Sequence, residues 1–174
     1  MRAARGLVAA VAVALALVLQ VTVFPHVAWQ GVVPNLCLLV VVGAALTRGA
    51  QFAAVLGFLA GLALDLAPPA DHLAGRWALA LLVVGYVAGR VRQDARPGTA
   101  PTATTVMATV AACSFVGSSI FALTGVVLRD PAVGVGELLR VEVVALSWDI
   151  ALALAVIPLT LGLFAKVEPH RVPT

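Results

Sequence analysis

Six apolar runs separated by short polar gaps account for almost the whole chain. They predict helices over 7–24, 34–47, 51–66, 76–91, 102–128 and 141–164. Hydrocarbon offers no partner to a bare peptide group, so an apolar run in lipid closes its own backbone hydrogen bonds as a helix. The breaks carry the expected punctuation. Pro25 and His26 end the first run, with Trp29 in the linker that follows, suited to a membrane–water boundary. Pro34 fits a first-turn position of the second helix, where its missing N–H has no partner to lose. Arg48 and Gly49 make the next turn; Asp65, Pro68, Pro69 and Asp71 stop the third helix. Arg90, Arg92, Asp94, Arg96 and Pro97 read as the main polar loop, and Arg129, Asp130 and Pro131 as a second break. Residues 133–140 read as a weakly amphipathic stretch lying along the surface, and 166–174 as a polar tail.

The expected fold is therefore all-α: a polytopic membrane protein of six transmembrane helices in a single integral domain, 1–174. The second, third and fourth helices are short. A straight crossing of the hydrocarbon core takes about 20 residues, so these must thin the bilayer, borrow flanking residues or shelter their ends against other helices. The competing arrangement is four crossings plus a re-entrant hairpin of the second and third helices. A retained first helix is expected in place of a cleaved signal peptide, because the run after Arg2 and Arg5 continues to Phe24 with no small-x-small site behind it.

Composition supports the pattern. The chain is 62% hydrophobic and 11% charged, with a mean hydropathy of +1.08, which excludes a soluble globular domain. The pI near 9.5 does not indicate nucleic acid, because the basic residues are scattered over short loops and form no patch. They report orientation instead. A cytoplasmic start puts Arg2, Arg5, Arg48, Arg90, Arg92, Arg96, Lys166 and Arg171 inside and Arg76, Arg129 and Arg140 outside. Eight against three places both termini in the cytoplasm.

Few residues carry chemistry. Cys37 and Cys113 lie within apolar runs and behave as small hydrophobes. No metal spacing, phosphate loop or nucleophile–base pair is present, so no enzyme, metal or cofactor is expected. Gly57 and Gly61, and again Gly85 and Gly89, put two glycines on one helix face. Such a face lets another backbone approach closely, as packing within the bundle or as an interface with a partner. Asp65 shares the stripe of Gly57 and Gly61. Its two readings are a residue at the outer end of the third helix, wetted or paired with Arg76, and a polar anchor for a cavity open to the outside. Asp149, with Glu142 seven positions earlier, is either intramembrane and functional or, if its helix starts nearer Ala145, an interface residue beside a belt Trp148. Ser114, Ser118, Ser119 and Thr124 give the fifth helix a polar flank, expected to bond backbone carbonyls or a neighbouring helix. His26, His72 and His170 fall in loops or the tail.

The order Pro34-Asn35-Leu36, Arg48-Gly49, Gly57-Phe58-Leu59-Ala60-Gly61-Leu62-Ala63-Leu64-Asp65-Leu66 and Leu81-Leu82-Val83-Val84-Gly85-Tyr86-Val87-Ala88-Gly89-Arg90 resembles the MreD family of rod shape-determining proteins. The motifs cover about residues 33–91; elsewhere only helix placement agrees. One departure is Gly75-Arg76-Trp77, where family members often have a Gly-Leu or Gly-aromatic turn. The resemblance implies a non-enzymatic scaffold in the cytoplasmic membrane, a partner of MreC in the cell-wall elongation machinery that also contains MreB, RodA and a class B penicillin-binding protein. It further implies a likeness to the S-component fold of energy-coupling-factor transporters. The alternative function is that of such an S component, binding a vitamin. Homo-oligomerisation is left open.

Overall fold

A computed structural model describes residues 2–68, 73–94, 102–128 and 135–166. Six α-helices are present among them: α1 Arg2–Thr22, α2 Leu36–Arg48, α3 Ala50–Leu66, α4 Arg76–Asp94, α5 Ala103–Val127 and α6 Val135–Ala165, with a 3₁₀ turn at Phe24–Val27. Three are long and apolar enough to cross a membrane: α1, α5 and α6. The helix breakers Pro69, Asp71, Pro97, Arg129, Asp130 and Pro131, the loop residue Arg96, His72 and His170, and all but the first residue of the tail lie outside the described residues.

Several boundaries differ from those the hydropathy predicts. α4 continues through Arg90 and Arg92 to Asp94, which are helical and not loop. α6 begins at Val135, so residues 135–140 of the segment expected to lie on the surface are the first turns of the long helix, residues 133–134 lying outside the described residues. Both extensions have one cause. A helix ends where its backbone ladder is broken, not where the side chains become polar, and Arg, Gln, Glu and Leu sustain a helix well. The Arg140–Glu137 ion pair, three residues apart, adds to the α6 start. α1 ends at Thr22, two residues early, and Pro25 falls in the 3₁₀ turn. Pro34 stands ahead of α2 and not in its first turn; Asn35 is the N-cap, its side chain accepting from the Leu38 amide at 2.9 Å.

α2 is the centre of the molecule. Every residue from Leu36 to Leu46 is buried, enclosed by α1, α3, α4, α5 and α6. Its 13 residues span about 20 Å at 1.5 Å per residue, short of the ~30 Å hydrocarbon core. Enclosure resolves the mismatch, because the ends of α2 meet protein and not lipid tails. α2 runs parallel to the second half of α6: Asn35 meets Asp149, Gly43 packs on Thr160, and Arg48 reaches the Phe164 carbonyl. α1 turns Ala9, Ala12, Val13 and Ala16 inward and leaves Leu7, Val11, Leu15 and Val18 exposed.

α3 and α4 form a tight antiparallel hairpin. A Cβ on Gly57 would overlap the Leu81 carbonyl, on Gly61 that of Trp77, on Gly85 that of Ala53, and on Gly89 the backbone of Ala50. Between α1 and α2, Gln30 and Gly31 have φ of 53° and 79°, and Trp29 and Val32 exchange both backbone hydrogen bonds. This is a two-residue hairpin turn with positive φ at both central positions. Arg140 at the start of α6 donates to the Gln30 side chain at 3.3 Å.

Candidate functional site

The four leading amides of a helix have no partner inside it. In hydrocarbon each must find one elsewhere, since an unpaired buried amide costs about 1–3 kcal/mol. α2 and α4 both begin in protein interior, and each starts on a buried carboxylate.

Asp65, near the end of α3, is 1% exposed. Its Oδ2 accepts from the amides of Gly75 at 2.8 Å and Ala78 at 3.0 Å, and its Oδ1 from Trp77 at 3.0 Å. The carboxylate thus closes the first turn of α4 from the preceding helix, where the positive end of the helix dipole also favours a negative charge. The expectation that Asp65 is wetted does not hold: its oxygens face backbone amides. The glycine stripe explains the position. With no side chains at Gly57 and Gly61, α3 lies against α4 closely enough for the next stripe residue, Asp65, to reach the α4 amides.

Arg76, the first residue of α4, is 7% exposed. It reaches across to α5: its Nη2 donates to the Phe121 carbonyl at 2.8 Å, and the guanidinium lies 3.9 Å from the Phe121 ring centroid. Trp77 stacks on the same residue, its ring 4.5 Å from that of Phe121. The turn after Asp65 therefore ties α3, α4 and α5 together.

Asp149 does the equivalent for α2. It is 2% exposed. Its Oδ1 accepts from the Asn35 amide at 2.8 Å and its Oδ2 from the Ser114 hydroxyl at 2.6 Å, so one carboxylate joins α2, α5 and α6. Gln20 of α1 adds a further acceptor, 3.2 Å from the Cys37 amide. The amides of Asn35, Cys37 and Leu38 are thus satisfied by three side chains from three elements. Because α6 starts at Val135, Asp149 lies fourteen residues into it, about 21 Å along the axis. It falls inside the stretch Gly136–Ala165, which is long and apolar enough to cross a membrane, and the late helix start on which the interface reading depended is not found. The Nε1 of Trp148 is buried, and its ring packs edge-on against Phe24 at 6.1 Å.

Glu142, two turns before Asp149, is half-buried, and its Oε1 has no hydrogen-bond partner. Among the polar flank of α5, Ser118 and Thr124 bond carbonyls of their own helix, as expected, while Ser114 reaches Asp149 and Ser118 also meets Glu142, both on α6. The glycine quartet, Gly57, Gly61, Gly85 and Gly89, is occupied by α3–α4 packing within the chain. Among the described residues no three His, Cys, Asp or Glu side chains cluster to hold a metal ion.

Sequence reading passed over two members of this arrangement. Asn35 carries a visible signal, an Asn directly before an apolar helical run. Gln20 carries a weaker one, a lone amide within an otherwise apolar helix.

Asp149→Ala is expected to leave the Asn35 amide and the Ser114 hydroxyl without partners, lowering stability by about 2–3 kcal/mol, while Asp149→Asn keeps one acceptor and loses less. Thermal unfolding of the purified protein in detergent compares the two; equal melting of Asp149→Ala and wild type would contradict the capping role.

The family model described as rod shape-determining protein MreD matches residues 1–167. No curated protein and no solved structure matches the chain.

Proposed function

The chain belongs to the MreD family of rod shape-determining membrane proteins, and from that premise we propose that it is a non-catalytic scaffold of the cell-wall elongation complex that binds MreC. The observation that carries this reading is how the polar interior is used. Asp65 and Asp149 are both engaged in capping helices, and the small-residue face of α3 and α4 is filled from within. The interior chemistry serves to hold helices in register, which suits a protein whose work is done at its surface. MreC and the peptidoglycan-synthesis partners, RodA and a class B penicillin-binding protein, then meet outward faces and not the glycine stripe. MreB is linked indirectly.

The same reading places the chain in the bacterial cytoplasmic membrane with six crossings and both termini in the cytoplasm. The parallel course of α2 and α6 and the antiparallel α3–α4 hairpin support alternating crossings of this kind. An architecture like that of the transporter S components is part of the proposal.

Detergent extraction with an affinity tag on this chain is expected to bring down MreC, and loss of the chain is expected to round a rod-shaped host. Retained rod shape in its absence, together with no MreC in the eluate, would overturn the reading.

A further inference from the structure

At the end of the bundle that holds the α2–α3 turn, a recess of about 220 Å³ is lined by Arg48, Ala50, Gln51, Tyr86, Arg90 and Gln93. This is the arginine-rich end that charge counting places in the cytoplasm. The recess has roughly the volume of seven waters in the liquid, enough for a phosphate group.

Its lining is selective in sign. Two guanidiniums, two side-chain amides and a phenol surround it, with no carboxylate among the described lining residues. Arg48 is held in place from behind: it donates to the Phe164 carbonyl at 3.3 Å, and its guanidinium lies 5.2 and 5.3 Å from the ring centroids of Phe52 and Phe164. Arg90 of α4 also lines the recess and is exposed. Ala50 and Gln51 open α3, whose N-cap is Gly49 with no side-chain hydrogen bond to the first amides. The helix dipole there adds to the positive field of the arginines. Gly49 has φ of 86°, and a Cβ on it would crowd the Gln93 amide, so glycine lets the turn close against that side chain.

The surface above the recess decides between a soluble anion and a lipid. On α3, Gln51 is followed at helical spacing by Val55 and Leu59, 63% and 55% exposed. On α4, Arg90 is followed toward the membrane interior by Tyr86 and Leu79, 50% and 47% exposed. A cationic polar mouth and an apolar track leading away from it match one amphiphile with an anionic head.

We propose that this recess binds the phosphate headgroup of an anionic phospholipid, with its acyl chains lying along the exposed faces of α3 and α4. Basic pockets between helices at the cytoplasmic surface are suited to such headgroups. The assignment is independent of MreC binding.

The test uses the full chain reconstituted in phosphatidylethanolamine–phosphatidylglycerol vesicles, extracted in detergent and weighed by native mass spectrometry. The wild type is expected to retain phosphatidylglycerol in preference to phosphatidylethanolamine. Each arginine removed should cut retention about fivefold, and Arg48→Gln with Arg90→Gln about twenty-fivefold. Arg92→Gln, an exposed arginine outside the recess, should retain lipid like the wild type. If Arg48→Gln fails to accumulate, Arg90→Gln alone decides, since that residue is exposed. Equal retention by Arg90→Gln and Arg92→Gln would overturn the site. Displacement of the lipid by millimolar inorganic phosphate would overturn the lipid assignment in favour of a free anion.

Discussion

Asp65→Ala is expected to lower the melting temperature of the detergent-solubilised protein by about 10 °C, the equivalent of about 3 kcal/mol in a chain of this size. The substitution removes the acceptor of three backbone amides, those of Gly75, Trp77 and Ala78, at a position only 1% exposed. Water cannot replace the carboxylate without opening the turn. Opening the turn moves Arg76 and Trp77, and with them the contact to Phe121 on α5. The loss should therefore exceed that of an ordinary helix cap, which is about 1 kcal/mol. Asp65→Asn keeps a carbonyl oxygen and should fall between. A shift of under 2 °C for Asp65→Ala, within the ordinary scatter of surface substitutions, would mean that the amides are satisfied by something else.

Gly57→Leu or Gly85→Leu should be more damaging still. At each site the first added carbon would overlap a main-chain carbonyl, Leu81 or Ala53, and a carbonyl in a helix cannot turn aside as a side chain can. Only separation of α3 from α4 makes room, and that withdraws Asp65 from the amides it caps. Overpacking of a well-packed core costs about 1–3 kcal/mol or more; here the clash is with backbone, so little monodisperse protein is expected on size-exclusion chromatography. Gly162→Leu is the matched control. It makes the same chemical change within α6, where nothing lies within 4 Å of the added carbon. Similar elution of Gly57→Leu and Gly162→Leu would show that hairpin contact is not what the glycine provides.

The helices were legible because hydropathy reports them directly, and the glycine pairs because their four-residue spacing puts both on one face. Boundaries were not legible where charged residues prolong a helix, as at Arg90–Asp94 and before Arg140. That error carried forward: with α6 started six residues late, Asp149 looked shallow. The roles of the two carboxylates were hidden for another reason. Asp65 lies 10 to 13 residues from the amides it holds, and Asp149 lies 114 from Asn35. A local pattern marks a buried acid as unusual but cannot say what faces it. Arg48 and Arg90 gave orientation by counting, yet only the packing of α3 on α4 brings them to one recess.

The bond between Asn35 and Asp149 also sets an order of events during synthesis. α2 leaves the ribosome long before the residue that closes its first turn exists, and it is too short to rest across lipid by itself. Until the last helix enters, this segment must be shielded by the insertion machinery or by its neighbours. A nascent chain halted before Asp149 should consequently be prone to proteolysis in a way that one halted a few turns later is not.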